Sequence, residues 1–141
     1  MIRGNAALVL DELGPVSGLE FGYDAQSIAW VDGYIERQRE RFAGTDEAAR
    51  LVSVLGSYLG EAIIDAAGGA WEVHERDEIG VRFESGDWCF PFSKVAKQFA
   101  HGQDDGGDSI LAFYNFSIGL IASGQLAAAT GVDEGGEPAA G

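Results

Sequence analysis

The chain has 141 residues, the length of one typical domain, and 46% of them are hydrophobic, which is enough for a packed core. Such a chain needs no structural metal, and its single cysteine, Cys89, excludes an internal disulfide. The 23 acidic residues outnumber the 9 basic ones and give a net charge of −14. Phosphate backbones and anionic membrane surfaces attract Lys and Arg, so we expect neither a nucleic acid nor a membrane as partner.

The apolar segments of the chain are too short for export or for membrane insertion. Residues 6–10 form an apolar run that acidic residues follow at once, unlike the core of a signal peptide. Residues 110–122 form the longest apolar stretch, but polar residues interrupt it and it falls short of the ~20 residues of a membrane span. We therefore predict a cytoplasmic protein. No Lys or Arg follows Lys97, and we interpret this acidity as a source of solubility, with a face for a basic partner as the alternative.

Two helices are predicted in the first half of the chain. Residues 1–22 precede them and are predicted to be irregular or an edge strand that Gly14-Pro15 ends. Asp24 is the predicted N-cap of a helix that runs to about Phe42. Its buried stripe is expected to comprise Ile28, Val31, Ile35 and Phe42. Its water-facing side is expected to comprise Asp32, Glu36, Arg39 and Glu40.

The second predicted helix begins after Thr45 and stops at Gly68-Gly69. Gly56 and Gly60 lie one turn apart within it. Because glycine inside a helix costs about 1 kcal/mol, we expect these two positions to admit the close approach of another element. The apolar face is predicted to consist of Leu51, Leu55, Leu59, Ala62 and Ala66.

A three-stranded antiparallel meander is predicted next. A loop of three residues, 76–78, would place Trp71 opposite Phe83, and a tight turn at Ser85-Gly86 would place Phe83 opposite Trp88. This register predicts one aromatic face made of Trp71, Val73, Val81, Phe83, Trp88 and Phe90. It predicts a second, polar face made of Glu72, His74, Arg82 and Cys89, on which Glu72 pairs with Arg82.

Two further helices complete the predicted fold. One begins at Pro91 or Ser93 and ends near Gly102. The other is capped by Asp108 and covers about 109–123. We expect this last helix to be buried on nearly all sides, at the centre of the core. The sequence therefore predicts an α+β fold with two N-terminal helices, the meander and two C-terminal helices. We place them in one domain over residues 1–123 and interpret residues 124–141 as a disordered acidic Gly/Ala tail.

Candidate catalytic and metal sites are weak in this sequence. The predicted register puts His74 and Cys89 on the first and third strands, about 9–10 Å apart, whereas a nucleophilic pair needs contact at about 3 Å. His74, Cys89 and His101 match no zinc spacing. Residues 104–108 are acidic but lack the ligand pattern of a calcium loop, and we interpret them as a solvated loop. We predict no catalytic residue, no cofactor and no metal site.

Two groups of residues are candidates for contact with a partner. Trp30, Tyr34 and Arg37 lie on one flank of the first helix. Aromatic residues together with Arg are typical of interface hot spots. The alternative is that Trp30 packs at the edge of the core. The second group is the polar sheet face with Glu72, His74 and Arg82.

An acid/base site is the other chemistry that the sequence permits. Glu61 and Asp65 lie one turn apart beside Tyr58 and Arg50 on the second helix. Paired carboxylates of this kind suit proton transfer, and a solvated helix flank is the alternative.

Four segments together resemble a known family. They are residues 56–61 (GSYLGE), 68–71 (GGAW), 91–97 (PFSKVAK) and 108–114 (DSILAFY). In this order they resemble a family of small, uncharacterised bacterial domains of unknown function, over about residues 24–120. The resemblance implies a bacterial cytoplasmic protein of helices and a small sheet, and it supplies no catalytic residues. Some small acidic bacterial proteins act as immunity or accessory factors.

Two functional hypotheses follow from these observations. The first is a non-enzymatic interaction protein of immunity or regulatory type, which binds another protein, a basic one in its sharper form. The alternative is a small-ligand-binding domain or an unrecognised hydrolase that uses Glu61 and Tyr58. A homodimer formed through the sheet edge is a third, structural role, and the sequence leaves the oligomeric state open.

Overall fold

The computed structural model of the protein describes residues 1–42, 44–103 and 109–130, with residues 76 and 123–130 described by their backbone alone. Across these ranges the chain is mostly helical, with a small three-stranded antiparallel sheet, so the predicted α+β class is confirmed. The elements in chain order are α1 (Ile2–Ser17), α2 (Ala25–Phe42), α3 (Asp46–Ala67), β1 (Ala70–Val73), β2 (Ile79–Arg82), β3 (Trp88–Cys89), α4 (Pro91–His101) and α5 (Ile110–Thr130).

The N-terminal segment is a helix, so the prediction of an irregular segment or an edge strand there was wrong. Ala6 and Val9 are buried and Leu13 packs against the core, which places residues three and four apart on one helical face against α3. Pro15 lies in the last turn of α1, and its missing N–H leaves the backbone carbonyl of the exposed residue 11 without an intrahelical partner. Gly18, with φ of 73°, ends the helix.

The predicted caps of α2 and α3 are confirmed. An Asp24 carboxylate oxygen accepts a hydrogen bond from the backbone N–H of Ser27 at 2.8 Å. The Thr45 hydroxyl accepts one from the backbone N–H of Ala48 at 3.3 Å. Each bond satisfies a donor that the first turn of a helix leaves without an intrahelical partner, which explains why both helices begin where the sequence indicates.

The centre of the core is α3, and the expectation that the last helix occupies this place was wrong. Every residue of α3 from 55 to 60 is buried, and the helix packs against α1, α4, α5 and β2. Over residues 110–122, the part of α5 whose side chains are described, burial follows one face, through Ile110, Tyr114, Ser117 and Ile121. Phe116 and Leu120 remain 69% and 47% exposed.

The close approaches predicted for the two glycines of α3 are confirmed. A Cβ atom on Gly56 would lie 2.4 Å from Cδ1 of Phe92, at the start of α4. A Cβ atom on Gly60 would lie 2.1 Å from the ring of Trp71, in β1. Two neighbouring elements therefore rest directly on the α3 backbone. The predicted limits of α4, from Pro91 to Gly102, are confirmed as well.

The register of the first hairpin differs from the prediction by two residues. Trp71 pairs with Val81 instead of Phe83, and the loop is a 3₁₀ turn over Glu75–Asp77. Asp77 adopts a left-handed φ of 62°, which lets the chain reverse one residue earlier than predicted. Because the shift is even, the side chains of β1 and β2 keep their predicted faces.

The register of the second hairpin differs by one residue, so β3 presents the opposite faces. Cys89 pairs with Val81 and Trp88 pairs with Arg82. The turn contains a third residue, and Gly86 within it has φ of 93°. Cys89 therefore faces the core and is 7% exposed, whereas Trp88 lies on the outer face with Arg82. The predicted faces of both residues were wrong.

Asp32 was expected to face water, and the structure shows that it is 3% exposed. One carboxylate oxygen accepts bonds from the side-chain amides of Gln98, at 2.9 Å, and Gln103. The other accepts bonds from the hydroxyl of Ser109, at 2.5 Å, and from the backbone N–H of Leu111, at 3.0 Å. The carboxylate thus lies at the positive N-terminal end of α5, where the helix dipole and free N–H groups stabilise a negative charge.

The C-terminal predictions are tested only in part. The helix α5 reaches Thr130, beyond its predicted end at residue 123, and so includes the first residues of the predicted tail. The predicted cap Asp108, the acidic segment 104–108 and residues 131–141 lie outside the described residues.

Candidate functional site

The structure brings Trp30, Tyr34 and Arg37 together on α2. The rings of Trp30 and Tyr34 stack with their centroids 5.8 Å apart and their planes 19° apart. The guanidinium carbon of Arg37 lies 5.4 Å from the centre of the Trp30 ring, in cation–π geometry. We call these three side chains the Trp30 cluster. The spacing of four and three residues puts them on one helical face, as the sequence indicated.

The inner edge of the Trp30 cluster belongs to the core. Phe21 meets Trp30 edge to face at 6.1 Å and stacks on Tyr58 at 5.7 Å. Tyr58 is fully buried. Trp30 is only half-buried, and the guanidinium of Arg37 lies over its outer side. The geometry therefore allows both interpretations of Trp30: one side of the ring packs at the edge of the core, and the other side faces outward, where a partner could contact it.

A groove between α1, α2 and α3 adjoins the Trp30 cluster. Its volume is about 450 Å³, and Tyr34 lines it together with Leu8, Val16 and Val54. Leu8 is 39% exposed and Val16 is 68% exposed, so apolar side chains of α1 border it on the solvent side. At another edge the side chain of Arg50 is held by the carboxylate of Glu47. We call this feature the α1 groove.

The sequence analysis missed the α1 groove because it did not assign a helix to residues 1–22. A signal was present: Ala6, Val9 and Leu13 recur at helical spacing, and α1 could have been predicted from them. The Gly14-Pro15 pair indicates a break instead, but in the structure Pro15 lies in the last turn of α1, close to the end of the helix at Gly18.

The structure also groups Glu72, His74 and Arg82 on the outer face of the sheet. The side chains of Arg82 and Glu72 lie 4.0 Å apart and are about half exposed, so their ion pair contributes little to stability. The ring of His74 packs nearly perpendicular to Trp88 at 4.5 Å and to Phe90 at 5.4 Å. Trp88 and Phe90 were predicted on the other face, so this face is more aromatic than expected.

Tyr58 and Glu61, the residues of the predicted alternative site, form hydrogen bonds within the protein. The Tyr58 hydroxyl donates to the carbonyl of Gly22 at 2.6 Å, and burial raises its pKa. The Glu61 carboxylate accepts from the indole N–H of Trp71 at 2.7 Å. Both bonds hold α3 to neighbouring parts of the chain. No observation therefore favours a hydrolase that uses these two groups.

Cys89 and His74 lie on opposite faces of the sheet. They are indeed apart, but the prediction that they share one face was wrong. The prediction placed both on the outer face and separated them by distance along the sheet. In the structure Cys89 faces the core, and burial raises the pKa of its thiol to about 12. The nucleophilic form of cysteine is the thiolate, which is scarce at neutral pH when the pKa is that high.

The described ranges contain neither a metal-binding cluster nor a membrane-spanning helix. In those ranges no three His, Cys, Asp or Glu side chains come close enough together to hold a metal ion. In the same part of the chain, no helix combines the length and apolar character that crossing a bilayer requires.

Comparison with protein-family models, with curated proteins and with solved structures finds no match to this chain. The resemblance to a family of small bacterial domains therefore stays a prediction. Function has to be argued from the contacts, exposure and charge of the residues themselves.

Proposed function

We propose that the protein is a non-enzymatic interaction factor that binds a basic amphipathic helix of another protein in the α1 groove. The observation that carries this proposal is the continuity between the groove and the Trp30 cluster, since Tyr34 belongs to both. The apolar face of the partner helix packs on Leu8 and Val16, and its flanking residues contact Trp30 and Arg37.

The residue types at this surface support the proposal. Tryptophan, tyrosine and arginine dominate interface hot spots because they combine a large contact area with a polar group. Val16 is an apolar side chain that is largely exposed, and Leu8 beside it is exposed by more than a third. Grooves lined by several helices are typical sites for an amphipathic helix that inserts residues at intervals of three and four.

The charge of the chain supports a basic partner. The net charge is −14, and exposed Asp11 and Glu12 lie on α1. Glu12 lines the groove, and the positive charge of Arg50 in the same lining is paired with Glu47. A partner helix with Lys and Arg on its polar face would be attracted to this surface over a range of about 8 Å at physiological salt. We propose in addition a cytoplasmic location and an immunity or regulatory role; the acidity and the resemblance to small bacterial domains support both.

Co-purification with matched variants tests the proposal. Full-length tagged protein is compared with Val16→Glu and Arg37→Ala, each at low and high salt, and retained proteins are quantified by mass spectrometry. Phe116→Ser is the control, because Phe116 on α5 is as exposed as Val16 but lies outside the groove.

We expect the wild type and Phe116→Ser to retain the same partner proteins at low salt. Val16→Glu should not retain these proteins, and high salt should elute them from the wild type. A helical peptide from such a partner should bind Arg37→Ala about 5–30-fold more weakly than wild type, the range for loss of a hot-spot residue. Retention of the same proteins by all variants, or of none by the wild type, would refute the proposal.

A further inference from the structure

A second groove lies between β3, α4 and α5, and its walls are largely aromatic. Phe83 and Trp88 line it from the sheet, and Phe113, Phe116 and Leu120 line it from α5. It was missed in the sequence analysis because Trp88 was assigned to the inner face and α5 was expected to be buried on nearly all sides. We call it the lysine groove, for the reason given next.

Both lysines of the chain, Lys94 and Lys97, line this groove. Among the described residues that line it none is acidic, although the chain has 23 Asp and Glu residues and only 9 Lys and Arg. The α1 groove, by contrast, includes one acidic residue, Glu12, as well as one basic residue, Arg50. The lysine groove is thus a local positive site in a protein of strongly negative charge, and it favours an anionic ligand.

The two lysines contribute differently to the groove. The ammonium of Lys94 lies 5.9 Å from the ring centre of Phe113, in cation–π contact, and it makes further interactions of its own. Lys97, one turn further along α4, is exposed. Lys97 is therefore the group that we assign to an incoming negative charge, and Lys94 contributes to the wall.

The size of the lysine groove limits the ligand. Its volume is about 270 Å³. A water molecule occupies about 30 Å³ in the liquid, so the groove has room for a ligand on the order of ten non-hydrogen atoms. Phe116 and Leu120 are 69% and 47% exposed, so a ligand there would cover apolar surface that now faces water. A short apolar chain with an anionic group at the rim fits both the volume and the lining.

We propose that the lysine groove binds an apolar carboxylate of about ten non-hydrogen atoms, of the medium-chain fatty acid class. The carboxylate pairs with the ammonium of Lys97, and the alkyl chain packs between Phe113, Phe116 and Leu120. This site is independent of the α1 groove and of the partner proposed for it.

Titration with sodium octanoate tests the site, with octan-1-ol as a ligand of the same chain length without the charge. Binding is followed by calorimetry and by tryptophan fluorescence, to which Trp88 in the groove wall contributes; Trp88→Phe identifies its share. The variants are Lys97→Gln and Phe116→Ser, and Arg50→Gln is the control, because it removes a positive charge at the α1 groove.

We expect octanoate to bind wild type and Arg50→Gln with a dissociation constant of about 0.1–1 mM, which lies near the weak end of what a ligand of this size can reach. Lys97→Gln should weaken octanoate about two- to fivefold, the contribution of an exposed ion pair, and leave the affinity for octan-1-ol unchanged, because only octanoate carries the charge. Phe116→Ser should weaken both ligands. The site is refuted if octanoate fails to bind below 10 mM (about ten times the weakest expected constant), or binds Lys97→Gln as it binds wild type.

Chemical labelling of amines gives an independent measurement. Acetylation by an N-hydroxysuccinimide ester modifies lysines and the N-terminal amine, and Met1 is 95% exposed and serves as the internal reference. Octanoate should slow the labelling of Lys97 and leave that of Met1 unchanged. Equal slowing at both amines would contradict the site. Self-association that Phe116→Ser abolishes and that octanoate does not affect would assign the groove to a second copy of the chain instead.

Discussion

Gly56→Ala tests the close packing of α4 on α3. The added Cβ would lie 2.4 Å from Cδ1 of Phe92 and 3.0 Å from its backbone Cα, whereas ordinary contacts begin at 3.4 Å. The Phe92 ring must therefore move by about 1 Å, and the start of α4 must move with it. The ring of Trp71, with its centroid 5.4 Å from that of Phe92, restricts this movement.

The expected magnitude is the difference between two opposing effects. Overpacking of a core contact costs about 1–3 kcal/mol. Replacing glycine by alanine within a helix stabilises the helix by about 1 kcal/mol. We therefore expect Gly56→Ala to lower the free energy of unfolding by up to about 2 kcal/mol.

Gly119→Ala is the matched control, because Gly119 is an exposed glycine within α5 and no neighbouring element lies within 4 Å of the place that its Cβ would occupy. This variant should be about 0.5–1 kcal/mol more stable than wild type. Urea denaturation followed by circular dichroism measures both free energies, with equal m-values expected if the unfolding remains two-state. If Gly56→Ala is as stable as Gly119→Ala, α4 does not rest on the α3 backbone as described.

Three further predictions concern single side chains. Asp32→Ala should cost about 3 kcal/mol by urea denaturation, because it leaves several buried donors unsatisfied, whereas Glu40→Ala on the exposed side of α2 should change the stability by less than about 0.5 kcal/mol; equal losses would contradict the buried network. Cys89 should react with iodoacetamide at pH 8 at least about 100-fold more slowly in the folded protein than in urea, because burial raises its pKa to about 12; a ratio below about ten would indicate an accessible thiolate. The backbone N–H and the side chain of Ser27 lower the pKa of Asp24, so its cap contributes stability above the unfolded pKa of about 4 and loses it as the pH falls through the lower folded value. Asp24→Ala should therefore be about 1 kcal/mol less stable than wild type at pH 7, and the difference should shrink as the pH falls from about 4 through the lower folded pKa; a difference that does not change with pH would assign it to packing.

The sequence predicted the features that depend on neighbouring residues. The caps at Asp24 and Thr45 each join residues three positions apart, and the close approaches at Gly56 and Gly60 follow from glycines placed inside a strongly apolar helix. These signals can be read from a few neighbouring residues, without knowledge of the rest of the fold.

The features that were missed depend on distant residues or on loop geometry. Asp32 looks like a surface residue on a helical wheel, and its donors Gln98 and Leu111 are 66 and 79 residues away along the chain. The faces of Trp88 and Cys89 depended on one additional loop residue, because a shift of one position exchanges the two sides of a strand. The α1 groove was missed with the helix α1, and the lysine groove depends on both the face of Trp88 and the exposed side of α5.

The bonds of Asp32 also constrain when the protein can complete its structure during synthesis. Leu111 follows Asp32 by 79 residues, and a ribosome adds about 5–20 residues per second. For roughly 4–16 s the emerging chain therefore contains α2 without the donors that its carboxylate requires, and that charge has to stay hydrated. We expect α2 and α4 to reach their final packing only after residues 109–111 have left the exit tunnel.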